Sequence, residues 1–294
     1  MNTAGKLSAY GVALALIAGG GWAVGTAAGP VAAEPPAHSA EADTHGEGAG
    51  GGHAAPADEP DGLASSRGGY TFTPLRTTVT TGEFAFSITG PDGRPVTAFD
   101  VEHEKRMHLI VVRRDTSGFQ HVHPRMAPDG TWTVPLTPAR AGSYRAFADF
   151  TPTGGEATTL GVDLAVPGDF RPESHAPSRV AEVEGYQVRL DGELVPGQAS
   201  KVTLTVRENG ADVTDLQPYL GAYGHLVALR EGDLAYLHVH PDGAPGDGRT
   251  RPGPAVTFYA EVPSAGVYRL FLDFQHEGKV RTAEFTVPTE GAGR

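Results

Sequence analysis

The feature that most constrains this chain is a repeat. Met107-His108-Leu109-Ile110-Val111-Val112, followed by Phe119-Gln120-His121-Val122-His123-Pro124, returns as Gly224-His225-Leu226-Val227-Ala228-Leu229 and Leu237-His238-Val239-His240-Pro241. In each copy a His opens an apolar run and a His-Val-His-Pro quartet closes the next. The step from His108 to His121 equals that from His225 to His238. Flanking segments repeat in the same order: Tyr70 is answered by Tyr186, and the segment from Ala141 to Phe150 by that from Ala265 to Phe274. A unit of about a hundred residues present twice describes tandem domains rather than a solenoid. The second copy is longer between hairpin and tyrosine segment. Its extra residues fall in Asp242–Pro254, a Gly/Pro/Arg stretch of the kind that surface loops tolerate.

Within each copy the apolar residues alternate over short stretches, such as Phe84-Ala85-Phe86-Ser87-Ile88 and Val202-Thr203-Leu204-Thr205-Val206. Turn residues punctuate them, Gly90-Pro91-Asp92-Gly93 in one copy and Asn209-Gly210 in the other. With 40 Gly and 24 Pro and no sustained helical period, the chain reads as short strands joined by turns. Ala141-Gly142-Ser143-Tyr144-Arg145 and Ala265-Gly266-Val267-Tyr268-Arg269 have the form of a tyrosine corner. The expectation is an all-β protein with two tandem immunoglobulin-like β-sandwich domains.

Residues 1–33 carry Lys6 and then an apolar, small-residue run, the pattern of a signal peptide or membrane anchor, with Val31-Ala32-Ala33 as a cleavage site before Glu34. The body is therefore expected outside the cytoplasm, secreted or membrane-anchored. Residues 34–69 have almost nothing to bury and read as a disordered linker. His38, His45 and His53 lie there among acids, in either a solvated spacer or a weak metal-capturing tail. The sandwiches are then expected at 70–167 and 180–288, separated by a Pro-containing linker at 168–179 and followed by a tail at 289–294. A net charge of −12 with scattered Lys and Arg argues against nucleic acid as a partner. The absence of Cys excludes disulfides and thiolate sites, and three Met disfavour a thioether site for Cu(I). Imidazole with carboxylate suits Cu(II), Zn(II) or Ni(II).

If Asp115–Gly118 is a tight turn with a two-residue loop, Val112 faces His121 and Ile110 faces His123. His108, His121 and His123 then share one face of the ribbon. In an immunoglobulin-like sheet the strand ending in Asp149 returns beside the start of the His108 strand. The expectation is therefore two metal sites: His108, His121 and His123 with Asp149 in the first repeat, and His225, His238 and His240 with Asp273, with His276 just beyond, in the second. The plainer alternative is that these His are hydrogen-bonded strand residues and that the Asp residues hold imidazole tautomers from outside any metal sphere. No G-x-S-x-G, H-E-x-x-H or Gly-rich phosphate loop is present, so a non-enzymatic role is expected.

MHLIVV…FQHVHP and GHLVAL…LHVHP, with FADF and FLDF after them, resemble exported bacterial proteins with paired repeats of this kind, a group associated with heavy-metal and copper handling. The likeness spans about Tyr70–Val287. More distantly the chain is similar to immunoglobulin-like copper-resistance proteins of the periplasm, from which it departs in lacking Met-rich segments and a His at a mature N-terminus. The resemblance implies an extracytoplasmic, non-enzymatic protein that buffers or delivers Cu(II) or Zn(II), with an envelope metal transporter or cell-wall component as a further partner. The competing expectation is an envelope-tethered structural or interaction module that holds no metal.

Overall fold

The computed structural model describes residues 60–237 and 239–289. The expected signal or anchor, the linker up to residue 59 with His38, His45 and His53, the last five residues and His238 lie outside the described residues. Within them the first repeat contributes β1 (Ser66–Arg67), β2 (Tyr70–Pro74), β3 (Gly82–Thr89), β4 (His108–Arg113), β5 (Gln120–Val122), β6 (Arg125–Met126), β7 (Thr131–Leu136), β8 (Gly142–Phe150) and β9 (Thr158–Val166). The second contributes β10 (Val180–Val183), β11 (Tyr186–Asp191), β12 (Ala199–Glu208), β13 (Ala211–Asp212), β14 (His225–Arg230), β15 (Tyr236–Leu237), β16 (Val239–Pro241), β17 (Ala255–Glu261), β18 (Val267–His276) and β19 (Lys279–Pro288).

Each repeat is an antiparallel sandwich. In the first, sheet β1-β2-β3-β7-β6 faces sheet β5-β4-β8-β9; in the second, β10-β11-β12-β17-β16 faces β15-β14-β18-β19. Alternation builds the interior: Phe84, Phe86 and Ile88 of β3 meet Trp132 and Val134 of β7 and Leu109 and Val111 of β4. Val202, Leu204 and Val206 do the same against Phe258, Leu270 and Leu272. Both tyrosine corners form. Tyr144 Oη donates to the Arg140 carbonyl at 2.8 Å, and Tyr268 Oη to the Ser264 carbonyl at 2.8 Å. Each ties the start of an F-type strand to the chain four residues earlier.

One face remains to be buried. In an isolated sandwich the outer side of β4 would be polar, yet all six β4 residues are buried. The outward Ile110, Val112 and Phe147 pack against Val227, Leu229 and Phe271, their counterparts in the second repeat, together with Leu234 and Tyr236. Phe119 stacks on Phe271 across the seam, with ring centroids 4.1 Å apart and planes 5° from parallel. Full burial of one such side chain is worth roughly 1.5–3 kcal/mol, so a seam of this composition outweighs a loose interdomain contact. The repeats therefore pack as a pseudo-symmetric pair with like faces together.

The ends of the sandwiches are more ordered than their composition suggested. The expected linker ran to residue 69, but residues 60–69 are built into the fold. Gly62 N–H donates to the Thr159 carbonyl at 3.1 Å, and Arg145 Nη2 donates to the Gly62 carbonyl at 2.7 Å. A Cβ on Gly161 would stand 1.9 Å from that same oxygen, so only glycine admits the segment. The stretch 168–179 has no strand, but it is held to the first repeat: Glu173 N–H donates to Asp115 Oδ2 at 2.7 Å, and Arg113 Nη2 to Glu173 Oε1 at 3.1 Å. A buried guanidinium thus finds the partners it needs in the connector.

Candidate metal centre

The His hairpin of the first repeat slides by two residues from the expected register. Ile110 lies opposite His121 and Leu109 opposite Val122. Arg113 N–H closes onto the Ser117 carbonyl at 2.9 Å, Thr116 takes φ +67°, and the Asp115 carboxylate accepts from Arg113 and Ser117. A slip of two keeps parity, so His108, His121 and His123 still share one face. The pairing of β4 with β8 sets His108 opposite Asp149, and that of β14 with β18 sets His225 opposite Asp273. Because that face of each sheet is turned toward the other repeat, the imidazoles of the two copies meet at the polar end of the seam. His108 and His225 stack with centroids 5.7 Å apart and planes 4° from parallel, and His121 lies 4.7 Å from His225.

Donor sets follow from these positions. His108, His121 and His123 each bring a ring nitrogen within 4.8 Å of the others, and His121, His225 and Asp273 form a second such set sharing His121. His108 Nε2 is 3.1 Å from the Glu102 carbonyl oxygen, which can only accept, so Nε2 carries the hydrogen and Nδ1 is bare. His121 Nδ1 is 2.7 Å from Asp273 Oδ2, whose other oxygen accepts from Thr282 Oγ1 at 2.6 Å. With Asp273 ionised, His121 Nδ1 carries the hydrogen and Nε2 is bare. The two bare nitrogens face one another at 3.1 Å. His123 Nε2 and His225 Nδ1 are also buried, without a hydrogen-bond partner among the described residues.

Protonation is an expensive way to resolve that contact. Burial pushes the His121 imidazole down to about 3, reinforced by His108, and burial first and then His121 and His108 bring His123 to about 3. His108 is lowered chiefly by burial, and His225 well below its ordinary value by burial and then by His121 and His108. Burial raises Asp273 to about 6. Below that value a neutral Asp273 can donate to His121 Nδ1, which frees His121 Nε2–H to donate to His108, and the chain is satisfied by protons. Above it, the bare nitrogens remain.

The other expected ligands are placed differently. Asp149 sits opposite His108 in the ladder, but its Oδ1 accepts from Thr159 Oγ1 at 2.9 Å. His240 is exposed and lies in β16, paired with Tyr259 in the sheet away from β14. His276 has both ring nitrogens engaged, Nδ1 with Tyr186 Oη at 2.8 Å and Nε2 with Asp215 at 3.1 Å. Sequence reasoning missed His103, whose ring centroid is 6.2 Å from that of His108 and 5.9 Å from that of His225. It also missed the Glu102 carbonyl that sets the His108 tautomer. His103 lies a few residues before the repeated motif and has no partner in the second copy, so the repeat carried no signal for it.

The chain belongs to the family described as a domain of unknown function, DUF8832. The family's profile matches twice, over residues 65–168 and 181–291, once per sandwich. No curated protein matches the chain. Among solved structures, a Corynebacterium diphtheriae protein described as membrane-anchored is similar at 11% identity and a TM-score of 0.22, with 76% of this chain and 57% of that one covered. The bacterial integrin-binding protein invasin is similar at 12% identity and TM-score 0.22, with 75% and 39% covered. A two-domain fibronectin type III segment of chicken tenascin is similar at 11% identity and TM-score 0.21, with 74% and 97% covered. The chain thus spans less than two thirds of the first two of these.

Proposed function

We propose that this protein binds one divalent transition-metal ion, Cu(II) or Zn(II), at the seam between its repeats, and acts outside the cytoplasm as a non-enzymatic buffer or carrier. The observation that carries the reading is the pair of bare imidazole nitrogens 3.1 Å apart, His108 Nδ1 and His121 Nε2. Two nitrogens bound to one ion at about 2.0–2.1 Å stand roughly 2.9–3.4 Å apart for square-planar to tetrahedral angles. The spacing that repels two lone pairs is thus the one that suits a shared cation. His123 and His225 supply further unpartnered nitrogens. The Glu102 carbonyl and Asp273 act on the opposite ring edges, as groups that orient metal-bound histidines commonly do. An imidazole set without thiolate favours Cu(II) or Zn(II) over hard cations.

The site draws on both repeats, so one ion per chain is expected rather than one per sandwich. Calorimetric titration of metal-stripped full-length protein with Zn(II), and in parallel with Cu(II), should give one tight equivalent and a raised melting temperature. A stoichiometry of two would restore a separate site in each repeat. No uptake, with an unchanged melting temperature, would leave the second reading: an interaction module in which the apolar seam holds two sandwiches in a fixed arrangement for another protein or a wall polymer.

A further inference from the structure

The inner part of the proposed cluster is shut away, with the His121 side chain 1% exposed and that of Asp273 3%, while His123 is half-buried. An ion must reach it by a defined route, and among the described residues two openings touch it. One is a broad cleft of about 610 Å³ where His121 and His123 border Glu83 and Arg125. The other is a cavity of about 160 Å³ in which Glu102, His103, His108, Asp149 and His240 meet. Apart from the cluster itself, the cleft offers a single carboxylate beside a guanidinium. The smaller cavity offers two imidazoles and two carboxylates, drawn from both repeats.

Building on the metal-binding reading, we propose that the smaller cavity is the port of the site, where His103 and His240 take a Cu(II) or Zn(II) ion before it passes to the buried imidazoles. Both residues are exposed, so a hydrated ion or a chelate held by a donor can reach them. His103 is also one ring away from two members of the cluster, at 6.2 Å from His108 and 5.9 Å from His225. Its position is held by a tight turn in which Glu102 and Lys105 exchange backbone hydrogen bonds at 2.8 and 2.9 Å. His103 and Glu104 take φ values of +46° and +67° there, a conformation uncommon for non-glycine residues that has to be held by its surroundings. The Glu102 carbonyl of that same turn orients His108, so port and cluster are coupled through one backbone group.

Lys105 and Arg106 share the rim with Glu102 and Asp149, so the cavity is no general sink for cations. Selection there rests on imidazole, which favours Cu(II) and Zn(II) over Mg(II) and Ca(II). Transfer is ligand exchange alone. Water leaves the ion as His108 or His225 binds, His103 and His240 are released in turn, and no electron or proton need move.

The test is stopped-flow mixing of metal-stripped full-length protein with aqueous Cu(II), read by quenching of tryptophan fluorescence, in the wild type and in His103→Asn with His240→Asn. Asn accepts the left-handed backbone of residue 103 and removes the imidazole. The expected result is association slowed about tenfold or more, with equilibrium affinity within about threefold, because a port acts on both rates alike. Association at the wild-type rate overturns the proposal. So does affinity falling as far as the rate, since the two residues would then be ligands of the bound state. Glu83→Gln should leave both quantities unchanged; a slowed Glu83→Gln would place the route in the broad cleft and also overturn the proposal. Wild-type protein that takes up no Cu(II) would instead defeat the underlying metal-binding reading.

Discussion

The two His-Val-His-Pro quartets are identical in sequence and unlike in structure. In the first repeat β5 stays on β4 through Val122, His123 is left between strands, and pairing with β7 resumes only at Arg125. In the second, β15 ends at Leu237, and Val239, His240 and Pro241 are already paired with Ala260, Tyr259 and Phe258. The residue opposite His123 on the same register would be Pro135, where the second repeat has Tyr259. Proline has no N–H with which to continue the ladder. The chain therefore crosses between sheets later in the first repeat, and His123 remains half-buried at the seam while His240 turns outward. A duplicated motif is a duplicated opportunity, and the strand opposite decides what becomes of it.

The likeness of the two repeats at the seam can be broken most forcefully at its aromatic centre. Phe147→Ala and Phe271→Ala remove equivalent, fully buried rings, and each should cost about 3–5 kcal/mol in urea or guanidinium unfolding, with the transition staying single. If only one of the two matters, or if the unfolding curve splits, the repeats are independently stable and the seam is incidental. Isolated fragments of either repeat would expose this same surface and should melt well below the intact chain.

The contrast between the two hairpins is sharpened by paired substitutions. His121→Asn with His123→Asn should weaken Zn(II) or Cu(II) at least about a hundredfold, around 2.7 kcal/mol, and abolish the tight equivalent altogether rather than halve it. His240→Asn should change equilibrium affinity by less than about threefold. Equal losses in the two repeats, measured by calorimetry, would contradict the asymmetry.

A smaller effect comes from protons. An imidazole in an unfolded chain titrates near 6.5, whereas His121 and His123 sit at about 3 in the fold. Between those values the unfolded chain binds protons that the folded chain does not. The stabilisation present above about pH 6.5 is therefore lost as the pH falls. Asp273, raised to about 6, acts in the opposite sense, since the folded chain takes up its proton first, and offsets part of one imidazole. The metal-free protein should lose several degrees of melting temperature between pH 7 and pH 5. The His121→Asn, His123→Asn variant should show a flatter profile, and an equally steep one would place the titrating groups elsewhere.

The smallest change tests a place where the repeats are alike. Tyr144→Phe and Tyr268→Phe each delete one corner hydrogen bond and should each cost about 1 kcal/mol, measured by chemical denaturation. A clear inequality would show that one corner has taken on a further role.

Much of this could be read before any coordinates. Alternation in β3 and β12, the turn residues and the two Ala-Gly-x-Tyr-Arg segments carry the sandwich, because local period and backbone preference are properties of neighbouring residues. The parity that sets His108, His121 and His123 on one face also survives an error in the turn, since a slip of two returns every side chain to its side. The unbroken apolar runs of β4 and β14 mark strands buried on both faces, which one sandwich alone cannot provide.

What the sequence by itself determined is the fold of each repeat and the face on which its histidines stand. What only the tertiary structure decided is that these faces turn toward each other. His121 meets Asp273 of the other repeat, and His103, outside the motif, reaches the rings of both. The reason is physical: pairing within a strand ladder is specified by local pattern and turn chemistry, whereas the meeting of two ladders depends on the sum of many weak contacts along a seam that no short stretch of sequence contains.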